Sequence, residues 1–168
     1  MTSSEILADA FERVRDAVHP AVNGLSLEEL AFRPDPESNS VAWLVWHLTR
    51  IQDDHVAGLD GGQQVWTSGG WAKRFALPLD EADTGYGHGP EDVAAVIAEA
   101  QMLLGYFEEV HQRTLRFIGG LSEAELDRVV DRDWDPPVTV SVRLVSVIAD
   151  DLQHVGQAAY LRGIVARG

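Results

Sequence analysis

Apolar residues recur at Ile6, Leu7, Ala10, Phe11, Val14, Ala17, Val18 and Val22. This i, i+3, i+4, i+7 spacing predicts an amphipathic helix over residues 3–24. Pro20 stands where its ring would kink or end that helix. Ser26-Leu-Glu-Glu29 has the form of a capping box and opens a very short helix closed off by Pro34 and Pro36. Asn39 or Ser40 can cap a second long helix, from about 41 to 59, whose inward stripe is Trp43, Leu44, His47, Ile51, Asp54 and Gly58. Gly61-Gly62 ends it. Residues 61–89 are rich in glycine and carry Trp66, Trp71, Phe75 and Tyr86, too irregular for one long element and too aromatic for an idle linker. Pro90 at a first helical position, followed by Glu91 and Asp92, starts a third helix reaching about residue 117 and stopped by Gly119-Gly120. Ser122 to Leu126 reads as a short capped turn.

After Pro136-Pro137 the pattern is ambiguous, because Val138, Val140, Val142 and Leu144 alternate as a strand would. From residue 142 to 165, however, Leu144, Val145, Ile148, Leu152, Val155 and Ala159 take helical spacing, and no turn signal precedes Gly163. No second convincing strand offers itself for pairing, so a fourth long helix is the expectation. Four long helices with a long crossover loop between the second and third predict an all-α four-helix bundle. At 168 residues the whole chain, 1–168, is expected to form a single domain with a core of its own.

Composition narrows the function. The net charge of −14 repels nucleic-acid backbones and anionic membranes, and no basic patch overrides it. The chain has no cysteine, which excludes disulfides, thiolate metal sites and a protein thiol nucleophile. The first residues show neither a basic nor an apolar leader region, and no stretch has the ~18 apolar residues of a membrane span. These features point to a cytoplasmic protein. The apolar bundle faces point to a homodimer without saying which face is shared.

The chemistry concentrates in Val145-Ser-Val-Ile-Ala-Asp150-Asp151-Leu-Gln-His154, where carboxylates and an imidazole interrupt an apolar helix. Positions 150 and 154 lie about 40° apart and one turn up, so both side chains can converge on one point. That is a spacing by which a helix offers two ligands to a metal ion. His47, on the apolar stripe of the second helix, is the candidate third ligand. Two histidines and one carboxylate leave coordination positions open, as in a catalytic site. Arg143 and Gln157 fall near the same stripe as Asp150, and Arg143 is placed to pair with Asp150 or to neutralise an anionic substrate group. Asp54 or Asp151 could hold the second nitrogen of a ligating imidazole. The competing reading of the same residues is an ion pair and a hydrogen-bonded core histidine in a metal-free polar network.

Other candidates are weaker. His55 sits about 80° from His47 around the helix, which strains joint ligation, and His19, His88 and His111 have no carboxylate at ligand spacing, although His88 is within reach of a pocket. Asp131-Arg-Asp133-Trp-Asp135 imitates the start of a calcium loop but has Pro136 in the glycine position and Val142 in that of the closing glutamate. Gly85-Tyr-Gly87-His-Gly89 lacks the preceding strand and the lysine of a phosphate cradle.

Taken together, SVAWLVWHLTRIQDD and DDLQHVGQAAYLRG resemble the DinB-like metalloenzyme superfamily. The resemblance runs over nearly the whole chain and is closest to the actinobacterial branch related to the N-terminal domain of mycothiol-dependent maleylpyruvate isomerase. It implies a divalent metal ion, zinc or nickel before iron or manganese, on His47, Asp150 and His154. Many members carry histidine where this chain has Asp150, whereas the mycothiol-dependent branch carries a carboxylate. The resemblance also implies a low-molecular-weight thiol such as mycothiol as co-substrate, and thus a metal-dependent thiol S-transferase or isomerase acting on an unidentified small molecule. Two alternatives remain open at this point: a non-catalytic metal- or ligand-binding bundle, and a metal-free dimerisation module.

Overall fold

A computed structural model describes residues 1–167. Four long helices form the bundle: α1 (Ser3–Val22), α3 (Val41–Asp60), α7 (Ala100–Gly119) and α9 (Val140–Val165). Shorter elements connect them: α2 (Leu27–Ala31), α4 (Val65–Ser68), α5 (Trp71–Phe75), α6 (Pro90–Ala95) and α8 (Glu123–Leu126), with strands β1 (Val129–Asp131) and β2 (Val138–Thr139). The all-α bundle expected from the pattern is the fold. The capping residues are as anticipated: Ser26 accepts from the Glu29 amide, and Ser40 Oγ accepts from the Trp43 amide at 3.1 Å. α1 continues through Pro20 to Val22.

Helix directions follow from which residues meet. Arg15 bonds Glu108 and Ser4 bonds the Leu121 carbonyl, so α1 and α7 are antiparallel. Leu7 and Phe11 cluster with Leu144, Val147 and Ile148, while Val18 and Ala21 share a cluster with Val155 and Ala158. α1 and α9 are therefore parallel. Asp60 meets Arg113 and Arg50 meets Tyr106, so α3 and α7 also run together. The bundle is up-down-down-up, and the segment 61–89 is long because it must return the chain along the bundle before α6 begins.

Three expectations need correction. The third predicted helix is two, α6 and α7, broken over residues 96–99. Val96 and Ala98 are both buried while Ile97 is exposed, an alternation that extended backbone supplies and a helix cannot. A partner strand does exist: Val129 pairs with Thr139 and Asp131 with Val138 in an antiparallel hairpin. The final helix consequently starts at Val140, two residues early, with Thr139 Oγ1 capping the Val142 amide at 3.3 Å.

The buried apolar residues form two clusters, one around Leu44, Trp46, Phe107 and Val155, the other around Phe11, Ile118, Leu144 and Val147. Gln52, His111, Thr114 and Asp151 belong to neither cluster although all are fully buried. They lie between the two along their helices. Gln52 Nε2 donates to Thr114 Oγ1 at 2.7 Å.

Candidate metal centre

α3 is buried on nearly every side because the crossover segment wraps it. Asp53 is the anchor. Its two carboxylate oxygens accept from the Val65 and Trp66 amides at 2.8 and 2.7 Å, supplying the N-terminal cap that Gln64 does not provide to α4, and one also accepts from Tyr106 Oη at 2.8 Å. Burial pushes the Asp53 carboxyl above its usual value, against these hydrogen bonds and the nearby Arg50. Arg50, also fully buried, donates from Nε to the Asp83 carbonyl at 3.0 Å and from Nη1 to Gln64 Oε1 at 2.6 Å, and lies over the Trp66 ring. Trp66 Nε1 donates to the Glu81 carbonyl. Residues 81–84 are thereby fixed along α3.

That placement brings the Thr84 carbonyl to His47 Nδ1 at 2.5 Å. A carbonyl can only accept, so Nδ1 carries the proton and the Nε2 lone pair is free. Trp43 stacks on His47, with ring centroids 4.6 Å apart, and its Nε1 donates to His88 Nδ1 at 3.1 Å. His88 in turn stacks on Trp46. Gly85, at φ +90°, passes so close that a Cβ built on it would stand 2.6 Å from His47 Nδ1.

Across the groove, α9 presents Asp150 and His154. His154 Nε2 lies 3.4 Å from Asp150 Oδ1, and the His47 and His154 rings meet edge to face at 4.8 Å. His154 Nδ1 faces Gln157 Oε1 at 3.4 Å; as an amide oxygen accepts, this contact keeps a proton on Nδ1, and Nε2, which faces Asp150, is the atom left to ligate. One ligand atom from each of His47, Asp150 and His154 lies within 4.8 Å of the others. Two atoms bonded to one zinc ion at ~2.0–2.2 Å are at most about 4.4 Å apart, so the trio stands close to ligating distance. Asp150 Oδ2 is buried and has no hydrogen-bond partner, the orphaned acceptor that a cation would satisfy.

The electrostatics separate the two imidazoles. Burial lowers the His47 pKa, with the Thr84 carbonyl opposing and His154 reinforcing the shift. His154 is raised, chiefly by its hydrogen bond to Asp150. For Asp150 burial acts upward, but the His154 hydrogen bond and the charges of His154, His47 and His55 together hold the carboxyl below its ordinary value. Burial thus favours the neutral, ligating form of His47, whereas His154 and Asp150 favour each other's charged forms, a pairing that an incoming cation would replace.

Of the residues expected around this trio, Gln157 is the one that contacts it. Arg143 pairs with Asp131 of β1 at 3.0 Å and not with Asp150, because the hairpin brings a nearer carboxylate. Asp54 accepts from Gln64 Nε2 at 2.7 Å, and the Thr84 carbonyl has the role proposed for it at His47. Asp151 touches no imidazole: it is fully buried, both its oxygens lack hydrogen-bond partners, and burial raises its pKa well above the usual value. His55 stands outside the trio, and His19 and His111 pair with Glu108 and Glu12 across α1 and α7. Trp43 shares the inward stripe of His47, but nothing in the sequence pattern assigns Asp53, Thr84 or Gly85 to the site. The glycines of Gly85-Tyr-Gly87-His-Gly89 are the available signal, marking a place where backbone can approach another group closely.

The segment 61–89 covers the His47 flank, but the space beside His154 is bounded elsewhere. A groove of about 750 Å³ starts at Gln157 and runs between Pro34, Asn39, Leu44, Gln153 and Tyr160. A larger depression, about 880 Å³, lies at the other end of α3 beside Gly61 and Gln64, and none of the trio lines either space. No helix among the described residues is long and apolar enough to cross a membrane.

Comparison with known proteins returns a family model described as the DinB superfamily, matching residues 10–158. A conserved protein of Enterococcus faecalis, known from its crystal structure, is 32% identical with a TM-score of 0.93, the match covering 100% of this chain and 99% of that one. No curated protein matches.

Proposed function

The chain belongs to the DinB superfamily, and on that premise we propose that it is a divalent-metal protein whose ligands are His47, Asp150 and His154. The observation that carries this reading is the convergence of three donors from two helices within 4.8 Å, with a proton acceptor already placed at the second nitrogen of each imidazole. Zinc or nickel suits a set of two imidazoles and one carboxylate, and iron or manganese is compatible.

The proposal extends to metal-dependent S-transfer or isomerisation with a low-molecular-weight thiol of the mycothiol type, in the cytoplasm, where such thiols are kept reduced. A bound divalent ion supplies Lewis acidity and lowers the pKa of a coordinated thiol, giving a nucleophile at neutral pH. The absence of cysteine from the chain means that the sulfur must come from outside. The residues contribute positioning: Thr84 and Gln157 fix the imidazoles, Trp43 shields one face of His47, and the groove beside Gln157 leaves room for a small substrate.

The test is elemental analysis of tag-free protein beside a His47→Ala, His154→Ala double variant. About one ion per chain, lost in the variant while circular dichroism shows the helices intact, is the expected result. Calorimetry with mycothiol on loaded and stripped protein then tests the thiol. Binding confined to the loaded form supports it, and equal or absent binding removes it. No metal uptake from any of the four ions overturns the reading at its root.

A further inference from the structure

A pocket of about 260 Å³, which none of His47, Asp150 and His154 lines, lies where the crossover segment folds against α3. Its apolar walls are Trp46 of α3, Trp66 of α4, Ala72 of α5, and Leu77 and Leu79 of the chain that follows. The two indoles stand edge to face, 69° apart in plane with ring centroids 6.2 Å from each other, an arrangement that a further flat ring can extend.

One donor beside this pocket is unanswered. Of the four buried tryptophans, three give their indole N–H to an acceptor: Trp43 to His88 Nδ1, Trp66 to the Glu81 carbonyl and Trp71 to Glu109 Oε2. Trp46, only 1% exposed, has no acceptor for Nε1 among the described residues. Its six-membered ring is turned to Gly85, whose would-be Cβ stands 3.1 Å from Cζ3, and one of its faces is stacked by His88. The pyrrole edge that carries Nε1 is the opposite edge of the indole, and it is left for the pocket. A buried N–H without an acceptor is costly and correspondingly rare in protein interiors. The covering chain is strained as well. Ala76, which ends α5 at φ +47°, is the one non-glycine residue at positive φ among the described residues. Strain of this kind concentrates at binding sites and ligand clamps, and here it directs the chain into Leu77 and Leu79, which close one side of the pocket.

We propose that this pocket binds a small, uncharged, mainly apolar molecule of about one substituted aromatic ring, whose hydrogen-bond acceptor meets Trp46 Nε1. The volume falls just below the roughly 300–1,000 Å³ of drug-sized sites, which sets the size. A donor in the wall selects an acceptor and opposes a cation. The charged residues of the lining, Lys73, Asp80 and Glu81, are exposed and count two carboxylates to one ammonium, in a chain that carries −14, a balance that opposes an anion. Apolar walls penalise either charge by desolvation. A neutral acceptor on an apolar body, the chemistry of an aryl ketone or ether, is the class that meets all of these conditions.

Nuclear magnetic resonance titration of the full chain with acetophenone tests the proposal, with chelator present so that metal has no part in the outcome. Trp46→Phe assigns the Trp46 indole resonance and removes the donor, whereas Ala72→Phe fills the pocket and keeps the donor; circular dichroism verifies that both variants fold. Acetophenone is expected to bind with a dissociation constant of about 0.1–1 mM, as a ligand of about nine heavy atoms and ordinary efficiency does, and to shift the Trp46 Nε1 proton downfield. Ethylbenzene, the same skeleton without the acceptor, should bind about three- to tenfold more weakly, and benzoate and benzylammonium about tenfold more weakly or worse. Trp46→Phe should bring acetophenone down to the level of ethylbenzene, and Ala72→Phe should abolish binding of both. No response to any of the four probes overturns the pocket as a ligand site, and so does binding that Ala72→Phe leaves unchanged. Ethylbenzene binding as tightly as acetophenone, or acetophenone binding untouched by Trp46→Phe, overturns the role of the indole N–H. Benzoate or benzylammonium binding more tightly than acetophenone overturns the neutral class.

Discussion

Gly85 lies against His47 with no room for a side chain: a Cβ would fall 2.6 Å from Nδ1 and 3.1 Å from the Trp46 ring, at a backbone φ of +90° that already disfavours any residue but glycine. Gly87, two residues on, has φ +78° but nothing within 4 Å of its would-be Cβ. The pair separates backbone strain from displacement of the imidazole. Gly85→Ala and Gly87→Ala should each cost about 1–3 kcal/mol in stability. Gly85→Ala alone should also weaken metal binding about 10–100-fold, the size of effect seen when the groups orienting a ligand are disturbed. Competition titration with a chromophoric chelator measures this, and equal affinities in the two variants would show that the close approach does not orient His47.

How far the sequence discloses this site depends on how local each contact is. Asp150 and His154 are one helical turn apart, and His47 interrupts an apolar stripe, so periodicity alone brings them forward. Thr84 and Gly85 reach His47 across 37 and 38 positions of chain, through backbone groups that leave no trace in side-chain pattern. Arg143 shows the same limit. Its helical phase points to Asp150, but Asp131 arrives on a strand only three residues long, too short to register as alternation. Of the neighbours Asp53 and Asp54, the stripe containing His47 selects Asp54. Asp53, about 100° further round, faces α4 and α7 and has the larger structural role.

Asp53 holds the crossover in place, and its removal should be costly. Asp53→Ala leaves the Val65 and Trp66 amides and the Tyr106 hydroxyl without their acceptor, and leaves buried Arg50, 4.0 Å from the carboxylate, without its counter-charge. The expected loss is about 3–5 kcal/mol. Tyr106→Phe removes one of the three donors and should cost only about 0.5–1.5 kcal/mol. Denaturant unfolding of both variants, with hydrogen exchange at the two amides, checks the ratio. A loss under about 1 kcal/mol for Asp53→Ala, no more than an ordinary single hydrogen bond, would mean that the crossover is held by its aromatic packing instead.

Asp151 makes stability depend on pH in a direction opposite to most carboxylates. It is fully buried between the two apolar clusters, both oxygens lack partners, and burial, aided by the neighbouring Asp150 charge, raises its pKa well above 3.8. In the unfolded chain it ionises near the ordinary value; in the folded protein it keeps its proton to higher pH. Between those two values the folded state binds one more proton, so the stability contributed by this group is complete below the unfolded pKa and falls as pH rises through the window. Asp151→Asn keeps the shape and removes the ionisation. With chelator present to keep metal out of the comparison, the variant should match or fall slightly below the wild type near pH 4. It should then gain on it by about 1.4 kcal/mol per pH unit until the folded carboxyl itself ionises. Urea unfolding at intervals from about pH 4 to pH 8, spanning the rise from the ordinary carboxylate value, gives the two curves. Parallel curves would mean that Asp151 is ionised in the folded protein at its ordinary pKa, and that some group compensates its charge.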